Sequence, residues 1–253
     1  MLVGLDHLVI LVEELEEAVA GYEELGFRVT PGGEHADGLT RNALVPFADG
    51  TYLELVAFID PAGGRDNVWG WRSFLETGGG LVDYCVASGD LVADTRRLEE
   101  EGFGVEGPDE GGRRLPGGEE IRWKIARVRQ EGRVLPFLIE DETPRASRVP
   151  TGSATEHPNG ATGISQLQIS ARDAGKALES LAALTDDRSA RGDTFRVGSH
   201  ALVLVTPDDP KDSVERRLET SGPGPFAIEL TAPGGGRREL DPGLAQGARI
   251  RLG

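Results

Sequence analysis

A single cysteine, Cys85, stands among the 253 residues, so no intrachain disulfide can form and no zinc cluster built on several cysteines is available. Aromatic residues supply only 6% of the chain against 38% hydrophobic, which leaves a core of Val, Leu, Ile and Ala. Basic residues are scarce as well: 27 Lys and Arg meet 43 Asp and Glu, a formal net charge of −16. A surface of that sign repels nucleic acid and anionic membrane, so neither is an expected partner. No apolar run approaches the roughly 18 residues of a membrane span. The apolar start, MLVGLDHLVILV, lacks a basic flank and is interrupted by Asp6 and His7, so it reads as a buried strand rather than a signal peptide. A cytoplasmic protein with one large or two small cores is expected. No phosphate loop, dinucleotide fingerprint or nucleophile–base pair is visible, so no nucleotide cofactor is expected.

What the chain does have is Thr40–Phe58, TRNALVPFADGTYLELVAF. It reads as two strands, Arg41–Phe47 and Thr51–Phe58, turning at Ala48-Asp49-Gly50, because Asp-Gly tolerates the positive φ of a tight hairpin. Both strands are apolar at nearly every position, so both faces should be covered. Glu54 sits in the middle of the second, between Leu53 and Leu55. A carboxylate there loses hydration worth several kcal/mol unless a cation, a metal or several donors replace the water.

The hairpin closes a unit that begins at the strand Leu5–Val12 and continues through a helix, Glu13–Leu25, ended by Gly26. A short strand opens at Phe27–Thr30, and a glycine-rich loop, PGGEHADGL, leads into the hairpin. The order returns at an offset of 76, where Gly80, Leu81, Gly102, Phe103 and Val105 answer Gly4, Leu5, Gly26, Phe27 and Val29. That copy has strand Leu81–Ala87, helix Asp90–Glu101, then strands Phe103–Val105, Ile121–Val128 and Val134–Ile139. A weaker copy lies at an offset of 159: strand Ile164–Ser170, helix Asp173–Leu184, and strands Thr194–Val197, Ala201–Val205 and Pro225–Ala232. The polar insertion DDPKDSVERRLETSGPG carries a short helix over Asp212–Thr220, and the tail one strand near Ala248–Leu252. Paired units over residues 1–145 (1–60 and 80–142), a turn-rich linker at 146–162 and a third, degenerate unit over 163–253 make up the expected organisation.

Tandem units opening on LDHLVIL and closing on TYLELVA resemble the vicinal-oxygen-chelate superfamily, and GGEHADGLTRNALVPFADGTYLELVAF resembles its uncharacterised glyoxalase-like domain proteins. The resemblance implies an α+β fold in which tandem βαβββ modules form a cupped mixed sheet. It also implies a site that commonly holds a divalent metal, with ligands from the first and last strands of each module. His7 then matches the first-strand ligand and Glu54 the last-strand ligand, and Asp83 stands at the position of His7 in the second unit. LPFLIED offers no carboxylate in register with Glu54, and the third unit offers Gln166 and Glu229, so a four-ligand set is incomplete.

His7 alternates with Leu5, Val9 and Leu11, which places all four on one strand face. Beside Glu54 it could share Zn²⁺, Mn²⁺, Fe²⁺ or a similar ion, or a direct hydrogen bond without metal. His35, in the glycine-rich loop, is expected at the pocket rim. Arg41 and Asn42 are expected to start a strand pointing into the cup, where Arg41 could grip a substrate carboxylate through two parallel bonds. Trp69 and Trp71 read as a clamp between modules, Cys85 as a small buried apolar residue, and His157 as structural. One reading is a metal-dependent enzyme, with isomerase, lyase and dioxygenase chemistry all fitting the frame. The other is a metal-free protein that binds or sequesters a small molecule; a third is a structural role for an inert cavity. The odd third unit leaves a sheet face without a mate, which predicts that it packs against another subunit of a homodimer or seals a sheet edge.

Overall fold

The computed structural model describes residues 1–114, 119–130, 132–186, 192–209 and 212–253; Pro210 and Lys211 of the polar insertion lie outside them. The first unit runs β1 (Leu2–Leu11), α1 (Leu15–Glu24), β2 (Thr30–Glu34), β3 (Thr40–Pro46) and β4 (Tyr52–Phe58). The second runs β5 (Gly80–Ser88), α2 (Leu91–Glu100), β6 (Gly104–Arg114), β7 (Glu120–Arg129) and β8 (Phe137–Asp141). A short helix, α3 (Arg145–Arg148), follows. The remainder consists of β9 (Gly163–Ser170), α4 (Ala174–Thr185), β10 (Thr194–Val197), β11 (His200–Val205), α5 (Ser213–Ser221), β12 (Gly224–Thr231), β13 (Arg238–Glu239) and β14 (Ile250–Leu252). Asp90, Asp173 and Asp212 cap their helices, each accepting a hydrogen bond from a backbone N–H three residues on.

Two mixed sheets result. The first has the order β2-β3-β4-β1-β5-β8-β7-β6, the second β10-β11-β9-β12-β14-β13. In each unit the first strand pairs in parallel with the last, β1 with β4 and β5 with β8, and the units meet at the antiparallel pair β1–β5. His7 faces Cys85, Leu8 faces Tyr84 and Val9 faces Asp83 in that pair. Residues 7 and 83, and 9 and 85, are related by the offset of 76, so the repeat is a two-fold about this junction.

The short strand read at Phe103–Val105 extends to Arg114 as β6, through GVEGPDEGGRR. That run has no alternation of apolar residues because it forms an edge, where one side pairs with β7 and the other does not. β2 likewise recruits Pro31–Glu34 from the glycine-rich loop and forms the opposite edge.

The third unit corrects the sequence reading. Its last strand is β11, parallel to β9; β12 is antiparallel to β9, as β5 is to β1, and parallel to β14, as β5 is to β8. β12 therefore opens a fourth, shortened unit, and the third unit's counterpart of Glu54 is Val203, not Glu229. The sheet face expected to lack a mate has one within the chain. The second sheet covers the outer face of the first, with β12 against β5 and β10 against β1. Leu8, Ile10, Tyr84 and Val86 meet Leu167, Ile169, Ile228 and Leu230 in one buried core that also takes the apolar stripes of α1, α2 and α4. The seam is close enough that a Cβ on Gly198, whose φ is +58°, would lie 2.0 Å from the Val3 carbonyl oxygen.

The candidate site in the cup

The inner face of the first sheet carries His7, Val9 and Leu11 of β1 and Tyr52, Glu54, Val56 and Phe58 of β4, while Leu8, Ile10, Leu53 and Leu55 face outward. Leu5 leaves the face expected for it: an irregularity between Leu5 and His7 turns it to the outer core and lets Asp6 and His7 bond each other.

Glu54, 6% exposed, is the centre of the site. Its Oε1 accepts from Asn42 Nδ2 at 2.5 Å and from His35 Nε2 at 3.2 Å; its Oε2 stands 3.5 Å from His7 Nε2. Burial pushes its pKa up, but the His35 hydrogen bond, the two imidazoles and Asn42 outweigh it and bring Glu54 down to about 2. Burial pushes His35 down, and its bond to Glu54 reverses this and leaves it raised. His35 is held from behind, Nδ1 lying 2.6 Å from Thr40 Oγ1.

Behind His7 lies a set of groups that sequence reasoning missed. Nδ1 of His7 donates to Asp6 Oδ1 at 2.6 Å, and the ring stacks on Tyr52 at 4.6 Å. Asp6 in turn receives Arg148 at 2.9 and 3.1 Å and Arg145, and Arg148 also reaches Asp141 and the Tyr52 hydroxyl. Burial opposes the Asp6 charge, but Arg148 and His7 hold its carboxyl well below the usual carboxylate range. An ionised Asp6 only accepts, so His7 carries a proton on Nδ1 and turns Nε2 toward Glu54. Asp6 directly before His7, with two arginines four and seven residues after Asp141, was the available signal.

Two expected residues are not in this group. Arg41 alternates with Asn42, so it faces outward from β3 and pairs with Glu16 of α1 at 2.5 and 2.8 Å. Asp83 is on the inner face but in the other half of the cup, where Trp71 Nε1 donates at 2.9 Å and Arg133 Nη1 at 2.5 Å. Burial raises its pKa more than these partners lower it. Trp69 stacks on Trp71 and packs against Phe137, and it lines the cavity as well as holding the halves together. His157 is built into the framework: Nδ1 accepts from Arg28 N and Nε2 donates to the Pro46 carbonyl. Glu229 is half-buried on the second sheet and pairs with Arg237 at 2.5 Å rather than with Gln166.

The cavity over Glu54 measures about 190 Å³ and is walled by Trp69, Trp71, Trp123, Ile125 and Phe137. Gly111 permits this wall, since a Cβ there would come 2.3 Å from Trp123 Nε1. Arg113, two residues on along β6, donates to the carbonyls of Gly32 on the opposite edge and of Arg148, so the two edges of the sheet meet over the cup.

A metal set drawn from both halves does not fit. The counterpart of Glu54 is Phe137, opposite Cys85 as Glu54 is opposite Val9, and a guanidinium already sits on Asp83. Among the described residues, Asp6, His7 and Cys85 bring three ligand-type atoms within 4.8 Å of one another. Asp6 is taken by two arginines, however, and burial pushes the Cys85 thiol well up, so that group is a bonded core rather than a cation site. The remaining donors, His7, His35 and Glu54, are of the right type. Their N···O separations of 3.2 and 3.5 Å are near the roughly 3.0–3.4 Å between neighbouring ligands of an ion bound at about 2.1 Å.

Paired modules and a cupped sheet joined at β1–β5 give the chain a glyoxalase-like fold. Residues 5–185 match the Glyoxalase-like domain family, and the chain belongs to it. A hypothetical protein from Staphylococcus aureus shares the fold over 100% of this chain and 99% of its own, at 14% identity and a TM-score of 0.75. A mutant of 4-hydroxymandelate synthase from Streptomyces coelicolor covers 91% of this chain and 71% of its own, at 14% identity and a TM-score of 0.63. No curated protein sequence matches the chain. Among the described residues no helix is long and apolar enough to cross a membrane.

Proposed function

We propose that the chain binds a small oxygenated metabolite over Glu54, which accepts a proton from it, while Asp6 fixes the neighbouring His7 imidazole. The observation that carries this is Glu54 itself: a buried, ionised carboxylate, bonded from one side by Asn42 and His35 and bordering an aromatic-walled cavity. A cavity of about 190 Å³ falls below the roughly 300–1,000 Å³ of pockets for larger ligands, which favours a small metabolite. Isomerase and lyase reactions need such a proton acceptor beside an oxygenated carbon. His7, His35 and Glu54 would hold a divalent ion of the Zn²⁺, Mn²⁺ or Fe²⁺ type, which supplies Lewis-acid polarisation of a substrate oxygen when bound.

A second reading, binding or sequestration without metal, is favoured by the hydrogen bonds that already engage Glu54 Oε1 and by the arginine on Asp83. Elemental analysis of protein purified without chelator separates the two. Metal present in the wild type, lost in Glu54→Gln and kept in Glu229→Gln supports the ion. No metal in any of the three supports the second reading, and metal kept in Glu54→Gln removes Glu54 from the ligand set.

A further inference from the structure

Arg113 is a cation in the cup with no carboxylate partner among the described residues. Its Nη1 and Nη2 donate to the carbonyls of Gly32 at 3.4 Å and Arg148 at 2.9 Å, and its Nε is buried without an acceptor. Four other arginines beside the cup are neutralised: Arg145 and Arg148 by Asp6 and Asp141, Arg133 by Asp83, Arg127 by Glu106 and Asp109. A guanidinium has five N–H groups, so Arg113 keeps donors to spare beside Trp123 and Ile125, where little water can serve them. Burial lowers its pKa, opposed by Tyr52 and Glu54.

Glu54 Oε2 complements it. Oε1 is fully engaged, but Oε2 has no hydrogen bond among the described residues, only His7 Nε2 at 3.5 Å. Ionised, it can only accept, so the ligand group that meets it must be a donor. The cup thus offers one forked cation, one acceptor and aromatic walls.

We infer that the cup takes a small hydroxy acid with an aromatic or branched-alkyl body, its carboxylate on Arg113 and its hydroxyl on Glu54 Oε2. The class follows from the pairing. A planar carboxylate matches a guanidinium fork, a single cation matches a single negative charge, and Trp69, Trp123 and Phe137 pack the apolar body. A phosphate ester would ask for more donors than one arginine gives. This inference rests on the reading of the cup as a small-molecule site, and the test keeps the two apart.

Mandelate, mandelamide and phenylacetate serve as probes, titrated by calorimetry into wild type, Arg113→Gln and Arg113→Lys, with thermal melts as the folding control. Wild type should bind mandelate at least ten-fold tighter than mandelamide, and phenylacetate more weakly than mandelate. Arg113→Gln should bind mandelate and mandelamide alike, and Arg113→Lys should retain part of the preference. The preference should survive EDTA, since it belongs to the guanidinium. Equal binding of acid and amide by the wild type, an acid preference that persists in Arg113→Gln, or its loss in EDTA would overturn the inference and leave the cup a binding site. If Arg113→Gln does not fold, a preference in Arg113→Lys undiminished from wild type overturns it instead. Failure of all three probes to bind the wild type at 10 mM would remove the small-molecule reading of the cup along with it.

Discussion

Glu54 and Phe137 hold equivalent places in the two halves of the cup. Glu54 lies opposite Val9 on β1, Phe137 opposite Cys85 on β5, and Val9 and Cys85 are two-fold mates. The backbone is symmetric and the chemistry is not. One half presents an acid among imidazoles, the other a phenyl ring 5.3 Å from His7 and 4.4 Å from Trp69.

Phe137→Ala should therefore cost stability as well as shape. Phe137 is buried but borders a cavity, so the loss should fall at the low end for such truncations, about 3 kcal/mol, read from urea denaturation. A loss below about 1 kcal/mol would mean that the ring does not wedge the halves.

Asp6→Asn should be costlier than its conservative chemistry suggests. It leaves Arg148, a buried guanidinium, with Asp141 as its one carboxylate among the described residues, and breaking such a pair costs about 3–5 kcal/mol. The His7 ring should lose its fixed tautomer too, visible as a change in its imidazole NMR shifts.

Arg41→Ala should leave ligand binding in the cup unchanged and alter stability by about 0–1 kcal/mol, because its partner Glu16 is exposed. A ligand affinity that drops ten-fold in this variant would place Arg41 at the site after all.

His157 gives an expected pH dependence. Burial lowers its pKa below the ordinary histidine value, and Nδ1 accepts a backbone N–H only while neutral. The unfolded chain thus binds the proton more readily. The contribution of His157 to stability is complete above the unfolded pKa, about 6.5, and is lost as pH falls toward the folded value. Melting temperatures of His157→Gln should fall less steeply than wild type between pH 6.5 and 5; parallel curves would exclude this origin.

Much of the fold could be read from residues. The alternation in LDHLVIL and TYLELVA and the offset of 76 located the strands of the first two units and set His7 and Glu54 on neighbouring strands. What escaped were groups whose placement depends on distant pairing. Arg113 lies in a glycine- and charge-rich edge strand with no periodicity, and Arg145 and Arg148 lie at and just inside the start of the stretch that reads as a linker. Arg41 sits outside the cup because strand neighbours alternate, so it cannot share a face with Asn42. Glu229 was assigned by the pattern IEL alone, which does not say whether a strand ends one unit or opens the next.

The covering of the first sheet by the second has a consequence for anyone dividing the protein. A chain cut within residues 146–162 would leave Leu8, Ile10, Tyr84 and Val86 bare on one piece and Leu167, Ile169, Ile228 and Leu230 bare on the other. Neither fragment would remain monomeric in water, and coexpressed they should find each other again. The half without the cup is the cover for the outer face of the half with it.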